Sequence, residues 1–192
     1  MKKKYYKDKS TFSFKANFIR LLWSVVYYLL FRFSPISFSG YRRFILIIFG
    51  AKIDMNVNIY PCAKIWLPSN LSMKKSSCLG RNVNIYNQGH ISIGKNTIIS
   101  QNSHLCASSH NYSYKNPKLP LYTHPIIIGD NCWVCADAFI GPGIKISSGS
   151  IIGARTVIFK DTVKDGVYLG NPGKLIKLRK YKKTKLIFKN FN

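Results

Sequence analysis

The sequence predicts an all-β fold, a parallel β-helix with a helical segment before it and a basic segment after it. Three observations carry that expectation. Aliphatic residues recur at every sixth position, from Ile128 through Val134, Ile140, Ile146 and Ile152 to Ile158. Glycine often follows them, as at Gly129, Gly141 and Gly153. Four residues after each aliphatic position stand Cys132, Ala138, Ile144, Ser150, Thr156 and Thr162, which are mostly small. A period of six matches neither a helix, at roughly 3.6, nor a simple strand, at about 2. It matches a triangular coil in which three hexads, about 18 residues, make one turn. Turns stack about 4.8 Å apart, each aliphatic side chain pointing inward onto its equivalents. A sandwich of short strands would show period two and hairpin turns instead.

Residues 1–50 precede the repeat. Phe18 to Phe33 is aromatic and aliphatic, with no charge between Arg20 and Arg32, and Ser34-Pro35 ends it. Ser39 to Phe49 carries Arg42 and Arg43 and stops at Gly50. These read as two short helices capping the first coil. Neither run reaches the ~18 apolar residues of a membrane span. No small-residue cleavage site of a signal peptide follows them. The segment's basic, aromatic character also suits peripheral contact with the inner face of a membrane.

Residues 51–170 carry the repeat. Ile53, Ile59, Ile65 and Leu71 form one run; Leu79, Ile85 and Ile91 a second; Ile93, Ile99 and Leu105 a third, offset by two residues. Small irregularities are therefore expected between Leu71 and Leu79 and between Ile91 and Ile93. The repeat then stops for residues 108–125 (SSHNYSYKNPKLPLYTHP) and resumes at Ile128. Long excursions from a rigid scaffold are usually functional or disordered. The aromatic content here argues against disorder. Residues 171–192 form the basic C-terminal segment.

Composition narrows the chemistry. The chain of 192 residues has 30 Lys+Arg against 6 Asp+Glu, a formal charge of +24. It has no Glu, so any catalytic carboxylate is one of Asp8, Asp54, Asp130, Asp137, Asp161 or Asp165. Basic clusters at Lys2, Lys3, Lys4, Lys7 and Lys9 and from Lys174 to Lys189 suit anionic partners. No nucleic-acid-binding motif accompanies them. Five cysteines, an odd count, fit free thiols in a reducing cytoplasm. Cys132 and Cys135 form a C-x-x-C pair, but inside the hexad register, which reads as structural. His90 and His104 precede inward positions and are expected on the surface. His110 and His124 lie in the excursion, and His110 is the stronger functional candidate. The histidine spacing offers no set of three imidazoles for zinc, so no metal is expected.

Taken in order, Ser109-His110-Asn111-Tyr112, Pro125 to Asp130, Trp133-Val134, Phe139 to Gly143, Ile152 to Val157, Lys160-Asp161 and Gly170 to Lys174 resemble the hexapeptide-repeat O-acetyltransferases. The resemblance covers nearly the whole chain and is nearest to the branch associated with colanic acid and other surface polysaccharides. It implies a left-handed β-helix, a homotrimer with active sites between subunits, and acetyl-CoA as acyl donor to a sugar or oligosaccharide hydroxyl. By the same resemblance His110 is the general base and the Ala136 N–H stabilises the oxyanion. Trp133 and Ala154 flank the pantetheine arm, as the resemblance has it. Lys160, Lys174 and Lys177 lie near the coenzyme phosphates, and Asn171-Pro172-Gly173 near the adenine. Tyr86, Asn87 and Asn111 face the acceptor, although Asn111 stands where relatives often have Asp. The alternatives are N-acylation of an amino sugar on the same fold, or a non-catalytic scaffold whose basic ends bind membrane or polyanion.

Overall fold

The computed structural model describes residues 4–5, 14–113 and 119–181. The lysines at 2, 3, 7 and 9, and those beyond residue 181, lie outside the described residues.

The hexads form a three-faced parallel β-helix. The first face stacks Lys52–Ile53, Leu71–Met73, Ile91–Ile93, Ile126–Ile128 and Lys145–Ile146. The second stacks Asn58–Ile59, Cys78–Leu79, Ile98–Ile99, Trp133–Val134, Ile151–Ile152 and Gly166–Leu169. The third stacks Lys64–Ile65, Asn84–Tyr86, His104–Cys106, Phe139–Ile140 and Val157–Ile158. The aliphatic repeat residues fill the interior: Ile59, Leu79, Ile85, Ile99, Leu105, Val134, Ile140, Ile146 and Ile152 are completely buried. Corners demand left-handed backbone, which Asn and Asp tolerate best after glycine. Asn56, Asn82, Asn96, Asn102, Asn131, Asp137 and Asp165 adopt it.

Pairing registers locate the irregularities. Every step from first to second face and from second to third is six residues, as Ile53 to Ile59 to Ile65. Only the third-to-first edge varies. It takes eight residues from Ile65 to Met73 and eight from Ile85 to Ile93, and only six from Ile140 to Ile146. The first irregularity therefore precedes Leu71 rather than following it, because Leu71 and Met73 both point inward. The excursion leaves from this same edge.

The excursion is itself structured. Ser108–His110 pairs antiparallel with Leu121–Thr123, and Lys4–Tyr5 adds a third antiparallel strand. Its residues 114–118 lie outside the described residues.

At the N-terminus, α1 (Phe14–Val26) continues through a widened turn at Tyr27–Phe31, and α2 spans Ser39–Ile48. Trp23, Tyr27 and Phe31, four residues apart, make one buried aromatic stripe against the coil. The Trp23 indole N–H donates to the Ile65 carbonyl at 2.7 Å. From α2, the Ser39 hydroxyl donates to the Val57 carbonyl and accepts from the Ile59 N–H, mimicking a missing strand. At the other end, Gly166–Leu169 turns back antiparallel onto Lys174–Leu178. The expected boundary after Gly170 falls in the turn of this hairpin, so residues 171–178 continue the sheet rather than leave it.

Candidate active site

His110 ends the outgoing strand of the excursion hairpin and is exposed. Its Nδ1–H donates to the Leu119 carbonyl across the hairpin at 2.9 Å. A carbonyl only accepts, so this bond places the ring proton on Nδ1. In the neutral ring the lone pair is then on Nε2, the tautomer a general base requires. Asn111 does something different from orienting that ring. Its Oδ1 accepts from the Ser113 N–H at 3.0 Å and its own N–H donates to the Pro120 carbonyl, which shapes the hairpin turn.

Trp133 lies on the outer side of the second face, 48% exposed, with its indole N–H donating to the Ser100 hydroxyl at 2.9 Å. Ile98 and Ile151 pair with it on either side, giving an apolar outer strip. Ala136 and Ala154 occupy successive turns at the corner after that face. The N–H groups of Cys135 and Asp137 donate to Ile152 and Gln101, while the Ala136 N–H has no acceptor among the described residues. Gln101 and Ala154, at the same corner, share this free donor, so it is a property of the corner and not of Ala136 alone. Burial raises the thiol pKa of Cys132 and of Cys135, which keeps both away from thiolate chemistry.

The turn at Asn171-Pro172-Gly173 clamps the last coil. Val157 donates to the Gly170 carbonyl and accepts from the Gly173 N–H at 2.8 Å. A Cβ on Gly173 would stand 2.5 Å from Ile158 Cδ1 and 2.8 Å from Thr156 Cγ2, so a larger residue here would have to push both side chains aside. Lys160, Lys174 and Lys177 are all exposed cations around this end of the prism.

The structure groups Trp133, Ala136 and Ala154 along one edge, and the turn with Lys174 beside the last coil. His110 departs from a different edge, and no hydrogen bond or ring contact among the described residues joins it to them. Tyr86 lies on the outer third face, where its ring meets those of Trp66 and His104. Asn87, expected at the acceptor, is completely buried, and its amide bonds both the N–H and the carbonyl of Leu67. Sequence reasoning placed His104 on the surface. It is outside the coil, but packed between the Tyr86 and Phe139 rings, and burial lowers its pKa. Reasoning from sequence also missed Leu119, whose part is played by a backbone atom that no residue pattern reveals.

Residues 125–160 match the model of the bacterial transferase hexapeptide family (six repeats). The chain is 39% identical to the putative colanic acid biosynthesis acetyltransferase WcaF of Escherichia coli (strain K12), over 82% of this chain and 86% of that protein. It is 28% identical to the galactoside O-acetyltransferase of the same organism, over 66% and 63%. Among solved structures, galactoside acetyltransferase in complex with coenzyme A superposes with a TM-score of 0.80 at 24% identity, covering 95% of this chain and 94% of that one. The hexapeptide-repeat acetyltransferase VCA0836 of Vibrio cholerae, complexed with acetyl coenzyme A, gives 0.78 at 18%, covering 91% and 94%. The solved structures establish the shared fold, and the identity to WcaF across most of both chains establishes kinship. This chain belongs to the hexapeptide-repeat acetyltransferases.

Proposed function

We propose that this chain transfers the acetyl group of acetyl-CoA to a sugar hydroxyl in surface-polysaccharide assembly, with His110 as general base. The observation that carries the reading is the His110–Leu119 bond, which engages Nδ1 and leaves Nε2 as the ring nitrogen open to an acceptor on an exposed hairpin. In the reaction, Nε2 takes the acceptor hydroxyl proton as that oxygen attacks the thioester carbonyl. The tetrahedral intermediate collapses with release of the coenzyme thiolate, which recovers the proton from the imidazolium. The Ala136 N–H would donate to the oxyanion. The apolar strip at Trp133 and the exposed Ala154 suit a pantetheine arm. Lys160, Lys174 and Lys177 suit phosphates, with Asn171, Pro172 and Gly173 near the adenine.

His110 and the Ala136 edge leave the prism separately, which supports a homotrimer in which one subunit's hairpin completes its neighbour's site. Catalysis would then take place in the cytoplasm, on an acceptor held at the membrane. Phe14, Phe18, Leu21, Val25, Leu29, Phe44 and Ile48 on the outer side of the helical cap are 50–86% exposed. No acidic residue occurs between Asp8 and Asp54. Both features suit an anionic bilayer surface. No helix among the described residues is long and apolar enough to cross a membrane.

The test is thiol release from acetyl-CoA against a panel of hydroxyl-only and amino sugars, with product analysis. Ester formation on a hydroxyl-only sugar is expected. Amide formation confined to amino sugars would replace O-acylation by N-acylation, and no coenzyme binding at all would leave only a scaffold.

A further inference from the structure

Between α1 and the outer third face runs a cleft lined by Arg20, Tyr27, Tyr28, Lys64, Trp66 and Tyr86, among others. Its chemistry is cationic and aromatic at once. The Arg20 guanidinium lies 3.9 Å from the centroid of the Trp66 ring. Stacked there, its planar fork is pre-oriented and loses little freedom on engaging a ligand. That fork makes no hydrogen bond and no ion pair among the described residues. The ion pair between Lys95 and Asp130 lies elsewhere on the prism. Asp54, the nearest acidic residue in sequence after Arg20, instead accepts from the Lys75 N–H.

The rest of the cleft suits a saccharide. Lys64 adds a second exposed cation beside Asn84 and Tyr86. The Tyr86 hydroxyl accepts from Gln88 Nε2 at 2.9 Å, so its own proton remains to be donated. A bidentate fork, an ammonium and a phenolic hydroxyl in one aromatic cleft are complementary to a sugar bearing an oxyanion. Tyr86 also pairs in register with Cys106, two residues before the excursion hairpin begins, which puts the cleft next to the root of the hairpin that carries His110.

We infer that this cleft is an anionic subsite for the acceptor, in which Arg20 and Lys64 hold the carboxylate or phosphate of an acidic sugar. The inference rests on the acetyl-transfer reading only in taking a saccharide as the ligand. Arg20 and Lys64 are specificity residues and take no part in moving the acetyl group.

The experiment is ligand-observed NMR titration of the full chain with cellobiuronic acid against cellobiose, and with glucose 1-phosphate against glucose. Ionic strength is held at about 0.15 M to screen the diffuse positive field. At least one acidic sugar is expected to bind about tenfold more tightly than its neutral counterpart. The pair that shows the preference identifies carboxylate or phosphate. In the Arg20→Gln/Lys64→Gln double variant the preference should fall below about threefold, since removing two of 30 cations barely alters the net field. Equal binding of acidic and neutral sugars, or an undiminished preference in the variant, overturns the inference. Coenzyme A titrated into the same samples separates the two readings. No preference for acidic sugars in the wild-type chain with coenzyme binding intact defeats the subsite alone, whereas absent coenzyme binding beside a wild-type preference defeats acetyl transfer alone.

Discussion

Asn87 serves as a strand pair for Leu67: its Oδ1 accepts from the Leu67 N–H at 3.0 Å while its Nδ2 donates to the Leu67 carbonyl at 2.7 Å. Both residues are buried at the widened edge, where the backbone ladder has lapsed. Asn87→Leu should therefore strand the buried Leu67 N–H, while the Leu67 carbonyl keeps the Asn70 N–H at 3.1 Å, and cost about 1–3 kcal/mol. Urea unfolding of the variant measures this, and a loss below about 0.5 kcal/mol would show that water or a shifted backbone satisfies Leu67 instead.

Arg42 is completely buried with no carboxylate beside it. Its guanidinium donates to the carbonyls of Ile59, Pro35 and Ile36 at 2.6 Å and to the Ser34 hydroxyl at 2.8 Å. Burial lowers its pKa, yet four acceptors keep the charged form solvated by the chain itself. Arg42→Lys cannot reach all four and is expected to destabilise the cap by about 2–4 kcal/mol. The change should appear as an early transition in the emission of Trp23, which α1 holds against the first coils. A single transition at the wild-type midpoint would contradict it.

His110→Ala should reduce acetyl transfer by about 10²–10⁴-fold without moving the unfolding midpoint. His110→Asn is the sharper variant. Its side-chain amide can still donate toward the Leu119 carbonyl but offers no basic nitrogen, so activity should be as low as in the alanine variant. Near-normal turnover in either would transfer the role of base to another group, His124 first.

Burial holds the His104 imidazole below its ordinary pKa, and burial with the Lys52 charge does the same for His90. The sign follows from proton uptake: the unfolded chain protonates these rings below about pH 6.5 while the folded chain resists. Their contribution is full above that pH and is lost as pH falls through about 6.5 toward the lower folded values. His104 also buries an Nε2 with no hydrogen-bond partner among the described residues. His104→Phe keeps the ring contacts with Tyr86 and Phe139, and should be neutral or stabilising and flatten the decline between about pH 7 and 5. Denaturant titrations at the two pH values decide it, and an unchanged slope would remove His104 from the account.

Much of this molecule is written locally. The hexads state the coil, its inward residues and the place where it is interrupted, because each repeat position contacts its own kind one turn away. The cap was legible too, from the uncharged aromatic and aliphatic run between Arg20 and Arg32 and its stop at Ser34-Pro35. What the sequence hides is long-range. Asn87 looks like any polar residue beside a tyrosine until Leu67, a full turn below, turns out to need it. Arg42 reads as surface charge until four acceptors from two segments, residues 34–36 and Ile59, close around it. The hairpin at 166–178 has no hexad to announce it, and the tautomer of His110 depends on a main-chain carbonyl nine residues away.

The unequal edges of the prism have a consequence for how such a protein diversifies. Two edges are held at six residues in every turn, so any insertion there would rotate inward side chains to the outside. The third edge absorbs two residues twice and seventeen once without disturbing the ladders on either side. Chain length is thus a free variable along a single seam. Both the hairpin that carries His110 and the widened corner under Tyr86 lie on it, so new acceptors can be accommodated by lengthening or trimming that seam while the interior is inherited unchanged.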